Sequence, residues 1–229
     1  MKWMFDTNTT FNQPLNSWNV SNVTNMERMF FNTQAFNQPL TNWNVSNVTN
    51  MAAMFQNSPF NKPIDNWNVS NVTSMEGMLA VTSFNHPIAN WDVSKVTNMS
   101  SMYNDAKLFN QPLGNWDVSN VVDMNHMFYD ATAFNQPIGD WNVSNVTDMS
   151  NMFSAATAFN QPISNWNVSK VNHMDSMFYD AISFNQSIEN WDVSKVENMQ
   201  GLFSIALKFT DAPNPLFTAA QLAPQSILL

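Results

Sequence analysis

Cysteine is absent from this chain of 229 residues, and charged side chains are scarce. Without cysteine there is no disulfide framework and no thiolate zinc site. Histidine occurs only at His86, His126 and His173, too few to supply a metal centre repeatedly along the chain. We therefore expect no metal site and no cofactor. Charged residues make up 11% of the chain, against roughly 25% in an average globular protein, so asparagine, serine and threonine must provide most of the solubility.

The charge that is present is mainly negative. The 17 acidic side chains outnumber the 8 basic ones, and the formal net charge is −9. A phosphate backbone or an anionic membrane surface would be repelled, so nucleic acid is not expected as a partner. Long apolar runs are also missing, which argues against insertion into a membrane. The first residues contain no apolar segment of signal-peptide length.

What the chain does have is a repeat. After Trp3, each tryptophan follows the previous one by 24 or 25 residues, at Trp18, Trp43, Trp67, Trp91, Trp116, Trp141, Trp166 and Trp191. The repeats begin at Met1, Met26, Met51, Met75, Met99, Met124, Met149 and Met174, and a ninth begins at Met199. A fixed period of this length predicts stacked supersecondary units.

The first part of each repeat has the apolar spacing of a short helix. Positions i, i+3, i+4 and i+7 are apolar or small, which places them on one helical face. In the second repeat these positions are Met26, Met29, Phe30 and Thr33. Thr24 and Glu27 match a capping box, in which each side chain bonds a backbone N–H of the first turn. We therefore predict a helix that begins near each repeat's first methionine.

The second part of each repeat alternates apolar and polar residues. Trp43 and Val45 alternate with Asn42 and Asn44, the period of a strand with one buried face. The expected fold is an α/β repeat solenoid resembling leucine-rich-repeat proteins, with one short strand and one short helix per 24–25-residue unit and a parallel sheet on the concave face. Residues 1–210 would form eight full repeats and a partial ninth, and residues 211–229 a C-terminal cap.

Two columns of residues follow from stacking the repeats. One phenylalanine per repeat is expected to form a continuous core column: Phe11, Phe36, Phe60, Phe84, Phe109, Phe134, Phe159, Phe184 and Phe209. The asparagine after each of the first eight is expected to belong to a buried ladder, in which each side-chain amide bonds to the loop backbone of the adjacent repeat, because buried polar groups need partners. These asparagines are Asn12, Asn37, Asn61, Asn85, Asn110, Asn135, Asn160 and Asn185.

The repeat itself resembles a known family. The words FNQPL, NWNVSNVT and M-x-x-M-F, repeated from residue 1 to about residue 210, are similar to those of the BspA-like bacterial surface-protein repeats in their Mycoplasma-type lipoprotein variant. This resemblance implies a non-enzymatic protein at the cell surface or outside the cell, often associated with adhesion. The chain differs from such proteins in lacking a lipobox cysteine.

No constellation typical of catalysis is visible. A triad needs unlike groups at one place, whereas stacked repeats align like residues, such as the serine in each V-S-(N/K) word. We assign these serines to turns, where serine commonly bonds local backbone. The sequence therefore predicts that the protein is not an enzyme.

The better candidates for function are the two outward columns beside each tryptophan. They are rich in amides and carboxylates, which suits a glycan or the polar surface of a partner protein. Weak calcium binding through Asp117 and Asp140 is a further possibility, and a solvated face without any ligand is the plainer reading. The candidate binding residues are Asn90, Asp92, Asn115, Asp117, Asp140, Asn142, Asn165 and Asn167.

The sequence supports two functional hypotheses. In the first, the chain is a recognition or adhesion module that binds a protein or glycan ligand, of unknown identity, through this face. In the second, it is a structural building block that assembles end to end into oligomers or filaments. Self-association through an open N-terminal repeat fits the second hypothesis, although Trp3 is expected to cover part of that end.

Overall fold

The computed structural model describes residues 1–206 and residue 208. Within those residues there is no α-helix and no extended strand, so the predicted α/β, leucine-rich-repeat-like architecture is wrong. Each repeat instead contains one six-residue run of turns, which we call the turn segment. The turn segments are 2–7, 27–32, 52–57, 76–81, 100–105, 125–130, 150–155, 175–180 and 200–205.

Backbone dihedral angles explain why the turn segment is not a helix. Two residues in each segment, four positions apart, have positive φ, for example Arg28 at 53° and Asn32 at 55°. An α-helix needs negative φ at every residue. Residues that tolerate the left-handed region occupy many of these positions. They include Asn32, Asn57, Gly77, Asp105, Asp130, Asn151, Asp180 and Gly201.

Hydrogen bonding in the turn segment alternates between two kinds of partner. The N–H groups of Arg28 and Phe30 donate to carbonyls of the next repeat, at Ala52 and Met54, at 2.8 and 2.9 Å. The N–H of Met29, between them, donates to the carbonyl of Met26 at 3.1 Å and closes a turn. A helix would have used all of these groups internally, so here each repeat depends on its neighbour.

The predicted strand is also replaced by turns, although its alternation is confirmed. Trp43 and Val45 are buried and the asparagines beside them are exposed. However, the N–H of Trp43 donates to the carbonyl of Leu40 at 3.1 Å, and the N–H of Val48 to that of Val45 at 2.9 Å. Both bonds close turns instead of a ladder between strands.

Strand-like pairing occurs instead at the last residue of each repeat, just before the first methionine of the next repeat. One residue per repeat forms a parallel bridge to the equivalent residue of the next repeat. These residues, which we call the bridge column, are Asn25, Asn50, Ser74, Asn98, Asp123, Asp148, His173 and Asn198. The predicted capping box is also absent, because the acceptor for the N–H of Glu27 is the Oδ1 of Asn25 at 2.8 Å. The curvature around a concave sheet was predicted from the wider spacing of helices, so without helices that prediction has no support. We therefore call the candidate surface the polar face.

The phenylalanine column is confirmed over the described residues. Its members are buried from Phe36 to Phe184, and Phe11 is partly buried at the end. Phe36 and Phe60 stack with ring centroids 6.2 Å apart, and within a repeat Phe30 and Phe36 are 3.9 Å apart. Phe209 and the predicted cap at 211–229 lie outside the described residues.

Side-chain ladders tie successive repeats together. The Oδ1 of Asn135 accepts the N–H of Asn160 at 2.9 Å, and the equivalent bond recurs at the other interfaces, which confirms the predicted asparagine ladder. These asparagines are partly or fully exposed, so the ladder runs along the surface, and the prediction that it is buried is wrong. The tryptophans form a second, buried ladder, in which the Nε1–H of Trp141 donates to the carbonyl of Leu113 at 3.0 Å.

The N-terminal end is more open than expected. Trp3 is 55% exposed and has a φ of 59°, so the prediction that it covers the core is wrong. Phe5 and Phe11 pack partly against the core there. No helix suited to crossing a membrane occurs in the part of the chain that the structure describes.

Candidate functional site

All eight residues of the predicted binding face are exposed. They form two columns, one on each side of the buried tryptophans. We call the residues before tryptophan the first column (Asn90, Asn115, Asp140, Asn165) and those after it the second column (Asp92, Asp117, Asn142, Asn167). The structure shows that the two columns differ in chemistry.

The side chains of the second column accept hydrogen bonds from the nearby backbone. The Oδ1 of Asp117 accepts the N–H of Ser119 at 3.0 Å, an Asx-turn. The other seven of the first eight repeats contain the equivalent bond, which also confirms the predicted turn role of the serines. At Asp92, bonds from the hydroxyl and N–H of Ser94 lower the pKa of the carboxyl below its ordinary value. These side chains are held in place by the backbone and are less available to a ligand.

The first column is free of such bonds. Within the described residues, the side chains of Asn90, Asn115, Asp140 and Asn165 make no hydrogen bond to the protein. Their amide and carboxylate groups therefore present unused donors and acceptors to solvent. Sequence reasoning placed both columns on one face but could not distinguish them, because the Asx-turn depends on backbone geometry.

Three first-column residues line one groove. Asn115, Asp140 and Asn165 border a cavity of about 370 Å³, together with Pro137 and Pro162. Gly114, Gly139 and Ser164 complete the lining. We call this cavity the polar groove.

Close backbone approach explains one of these glycines. A Cβ added at Gly139 would lie 2.5 Å from the carbonyl oxygen of Pro162, closer than real Cβ contacts. Other repeats carry Thr41, Ala89 or Ser164 at this position, so the tight approach is specific to this part of the stack. The groove is therefore a local feature and does not recur in every repeat.

Sequence reasoning missed a second groove on the turn segments. It has a volume of about 470 Å³ and is lined in part by Glu27, Gln56 and Glu76. Small residues, including Ala53 and Gly77, form another part of its lining. The signal was present in the run of small residues at turn-segment positions, but the helix prediction gave these positions a different geometry.

The described residues hold no group of three or more acidic or histidine side chains suited to a metal ion. One carboxyl elsewhere is perturbed: burial raises the pKa of Asp123, and the neighbouring Asp148 raises it further. Asp123 lies in the bridge column, where its Oδ1 accepts the N–H of Asn125 at 2.9 Å. Its position in that ladder gives it a structural role.

Fold and site together define a tandem-repeat protein in which each repeat stacks on the next through turns and side-chain ladders. The chain belongs to the family described as "Mycoplasma protein of unknown function, DUF285", which matches residues 1–82, 57–156 and 136–219. The match in three overlapping segments agrees with the tandem repeats. Comparison with curated proteins gave no significant match.

Proposed function

We propose that this protein is a non-enzymatic recognition or adhesion module, of the BspA-like kind, at the surface of a bacterial cell or secreted from it. Its ligand is a protein or a glycan, bound at the polar groove. The observation that carries the proposal is the contrast between the two columns. Asn115, Asp140 and Asn165 are exposed, line one cavity and have no internal hydrogen bond, whereas the second-column side chains are used by the fold.

The groove's chemistry supports a hydroxyl-rich or amide-rich ligand. Amide groups both donate and accept hydrogen bonds, and the carboxylate of Asp140 is a strong acceptor. The repeats on both sides fix the spacing of the backbone that carries these side chains, so the backbone loses little conformational entropy when a ligand binds. Where a serine hydroxyl bonds a carboxylate, as Ser94 does with Asp92, the bond belongs to a local turn, which supports a binding role over a catalytic one.

The test is a glycan array and an array of extracellular-matrix proteins probed with the whole chain. A hit is then measured with the triple variant Asn115→Lys, Asp140→Lys, Asn165→Lys. Because these exposed side chains make no internal hydrogen bond, each change is expected to alter the unfolding free energy by no more than about 0.5 kcal/mol. Binding is expected to be lost.

The matched control changes three exposed side chains outside the groove, Val122→Lys, Tyr179→Lys and Ile182→Lys. It adds the same number of lysines and is expected to bind like the unmodified chain. A control that loses binding while the groove variant retains it would place the ligand elsewhere.

A further inference from the structure

The repeats are widely spaced beside the polar groove. The rings of Trp91 and Trp116 stack with centroids 6.5 Å apart and an interplanar angle of 6°. For Trp166 and Trp191 the corresponding values are 6.3 Å and 3°. Because these rings are nearly parallel and occupy the same position of the repeat, the distance between centroids measures the spacing of the repeats on this side. It exceeds the spacing of about 4.8 Å between neighbouring strands of a sheet.

The side chains of the polar groove follow the same spacing. Asn115, Asp140 and Asn165 each come directly before the tryptophan of their repeat, so their backbone positions recur at intervals close to 6.3–6.5 Å. An extended peptide rises about 3.3 Å per residue, so alternate residues, whose backbone groups face the same side, are about 6.6 Å apart. Over the two intervals of the groove, the two spacings differ by less than about 1 Å. The groove therefore matches an extended peptide that lies along the stack.

The groove also offers the groups that bind a peptide backbone. A side-chain amide carries both a donor and an acceptor, so Asn115 and Asn165 can each bond the C=O and the N–H of one peptide residue. The carboxylate of Asp140 only accepts, and it suits the N–H of the peptide residue between them. Within the described part of the chain these three side chains have no hydrogen bond, so binding breaks no internal one.

Charge and space in the groove narrow the ligand further. Among the described residues that line it, only Asp140 is charged, and the whole chain has a net charge of −9. Both attract a positively charged ligand. Gly114 and Gly139 leave room for a backbone to approach, whereas Thr41 and Asp65 occupy the same position in two earlier repeats. The groove therefore favours a basic peptide.

We propose that the ligand of the polar groove is an extended, positively charged segment of a partner protein, bound through its backbone. This inference rests on the proposed function, which places the ligand in this groove. Asn115 and Asn165 bond residues i and i+4 of the segment, and Asp140 accepts the N–H of residue i+2. The basic side chains of the segment steer it towards the acidic chain and strengthen the contact.

The first test uses a six-residue peptide of alternating lysine and threonine, which spans about 20 Å when extended. Fluorescence anisotropy measures its binding to the whole chain. The same peptide methylated at every backbone nitrogen keeps its charge but lacks N–H donors, and its affinity should be lower by about tenfold or more. A peptide of alternating glutamate and threonine should also bind at least about tenfold more weakly, because like charges repel. Equal affinities of the lysine peptide and its methylated form would overturn the proposal.

The second test changes the groove itself. Asn115→Leu keeps the approximate shape of the side chain and removes its amide, so the affinity for the lysine peptide should fall by about tenfold. Asn42→Leu is the matched control, because Asn42 is exposed at the same position of its repeat and lies outside the groove. It should bind the peptide like the unmodified chain, and circular dichroism verifies that both variants are folded. Equal binding by the two variants would contradict the proposal.

An unbranched hexasaccharide of glucose separates this inference from the proposed function. It is expected not to displace the lysine peptide. If the hexasaccharide binds the unmodified chain but not Asn115→Leu, while the lysine peptide does not bind, the proposed function stands and the peptide inference is wrong. If a ligand found on the arrays still binds the triple lysine variant of the groove, the proposed function itself is wrong.

Discussion

Single residues in this fold are constrained by the stack on either side of them. Tyr103 illustrates the constraint, because it occupies a column position that is phenylalanine in most repeats and is fully buried. Its ring stacks on Phe109 and Phe128 at 4.0 and 5.5 Å, but its hydroxyl has no hydrogen-bond partner among the described residues. Burial also raises the pKa of this hydroxyl well above its ordinary value.

Removing that hydroxyl is expected to stabilise the protein. Tyr103→Phe keeps the stacked ring and deletes an unsatisfied polar group, so the unfolding free energy should rise by about 1 kcal/mol. Urea unfolding measures the change. The reverse substitution in the next repeat, Phe128→Tyr, is the control and should lower stability. A loss of stability in Tyr103→Phe would show that the hydroxyl has a partner in solution.

Backbone conformation gives a second residue-scale prediction. Val81 has a φ of 55°, an unfavourable conformation for a β-branched residue, and its side chain is 39% exposed. Asn57, the equivalent residue of the preceding repeat, has a φ of 56°. Val81→Asn should therefore raise the unfolding free energy by about 1 kcal/mol, and Asn57→Val should lower it. Opposite signs in thermal unfolding would contradict the assigned backbone.

At the scale of the repeat, the core column carries much of the stability. Phe134 is fully buried and stacks on Phe109 and Phe159, each at 6.1 Å. Phe134→Ala should lower the unfolding free energy by about 3–5 kcal/mol. Phe11→Ala, at the partly buried end, should cost clearly less. Equal losses in chemical denaturation would mean that the rings do not form one continuous core.

The bridge column gives a prediction that depends on pH. Burial raises the pKa of Asp123 above its ordinary value, so the folded protein binds this proton more tightly than the unfolded chain does. The stability therefore falls as the pH rises from the ordinary pKa of aspartate to the raised pKa of Asp123 and is constant above it, and the penalty shrinks again as the pH falls from the raised pKa to the ordinary one.

Asp123→Asn removes the penalty and keeps the local turn, because Asn98 accepts the equivalent bond in the preceding repeat. The variant should be more stable than the unmodified chain at neutral pH, with an advantage that shrinks in acid. Unfolding free energies measured across this range provide the test. An advantage that grows as the pH falls would contradict the assignment.

The sequence predicted the columns of the repeat correctly and its secondary structure incorrectly. Phe134, Trp141 and Val143 had to be buried in any stack, because the period aligns them. The helix prediction failed because the spacing of Met124, Met127 and Phe128 reports only which side chains are buried. A run of turns with two left-handed residues buries the same side chains, and asparagine, aspartate or glycine at those two positions was the available signal.

For the candidate site, the sequence predicted which side chains are exposed but not which of them form hydrogen bonds. Alternation around the tryptophans identified Asn115, Asp117, Asp140 and Asn142 as exposed. It could not show that Asp117 and Asn142 accept backbone bonds, because an Asx-turn and an exposed strand give the same pattern of polar residues. The groove at Gly139 also depends on a close approach between two repeats, which cannot be predicted from the sequence of either repeat alone.

At the scale of the whole molecule, successive repeats are joined by backbone hydrogen bonds from the turn segments, and the described residues form no helix. At each interior interface the donors and acceptors are one repeat apart. The N–H of Phe128, for example, donates to the carbonyl of Met152 at 2.9 Å. In a helix the same N–H would donate to the carbonyl of Met124, four residues earlier.

These alternatives can be separated by nuclear magnetic resonance through scalar couplings across hydrogen bonds. With the chain labelled with ¹⁵N and ¹³C, the account predicts a coupling between the amide nitrogen of Phe128 and the carbonyl carbon of Met152. A coupling from that nitrogen to the carbonyl carbon of Met124 would instead show a helix in the turn segment and would contradict the account.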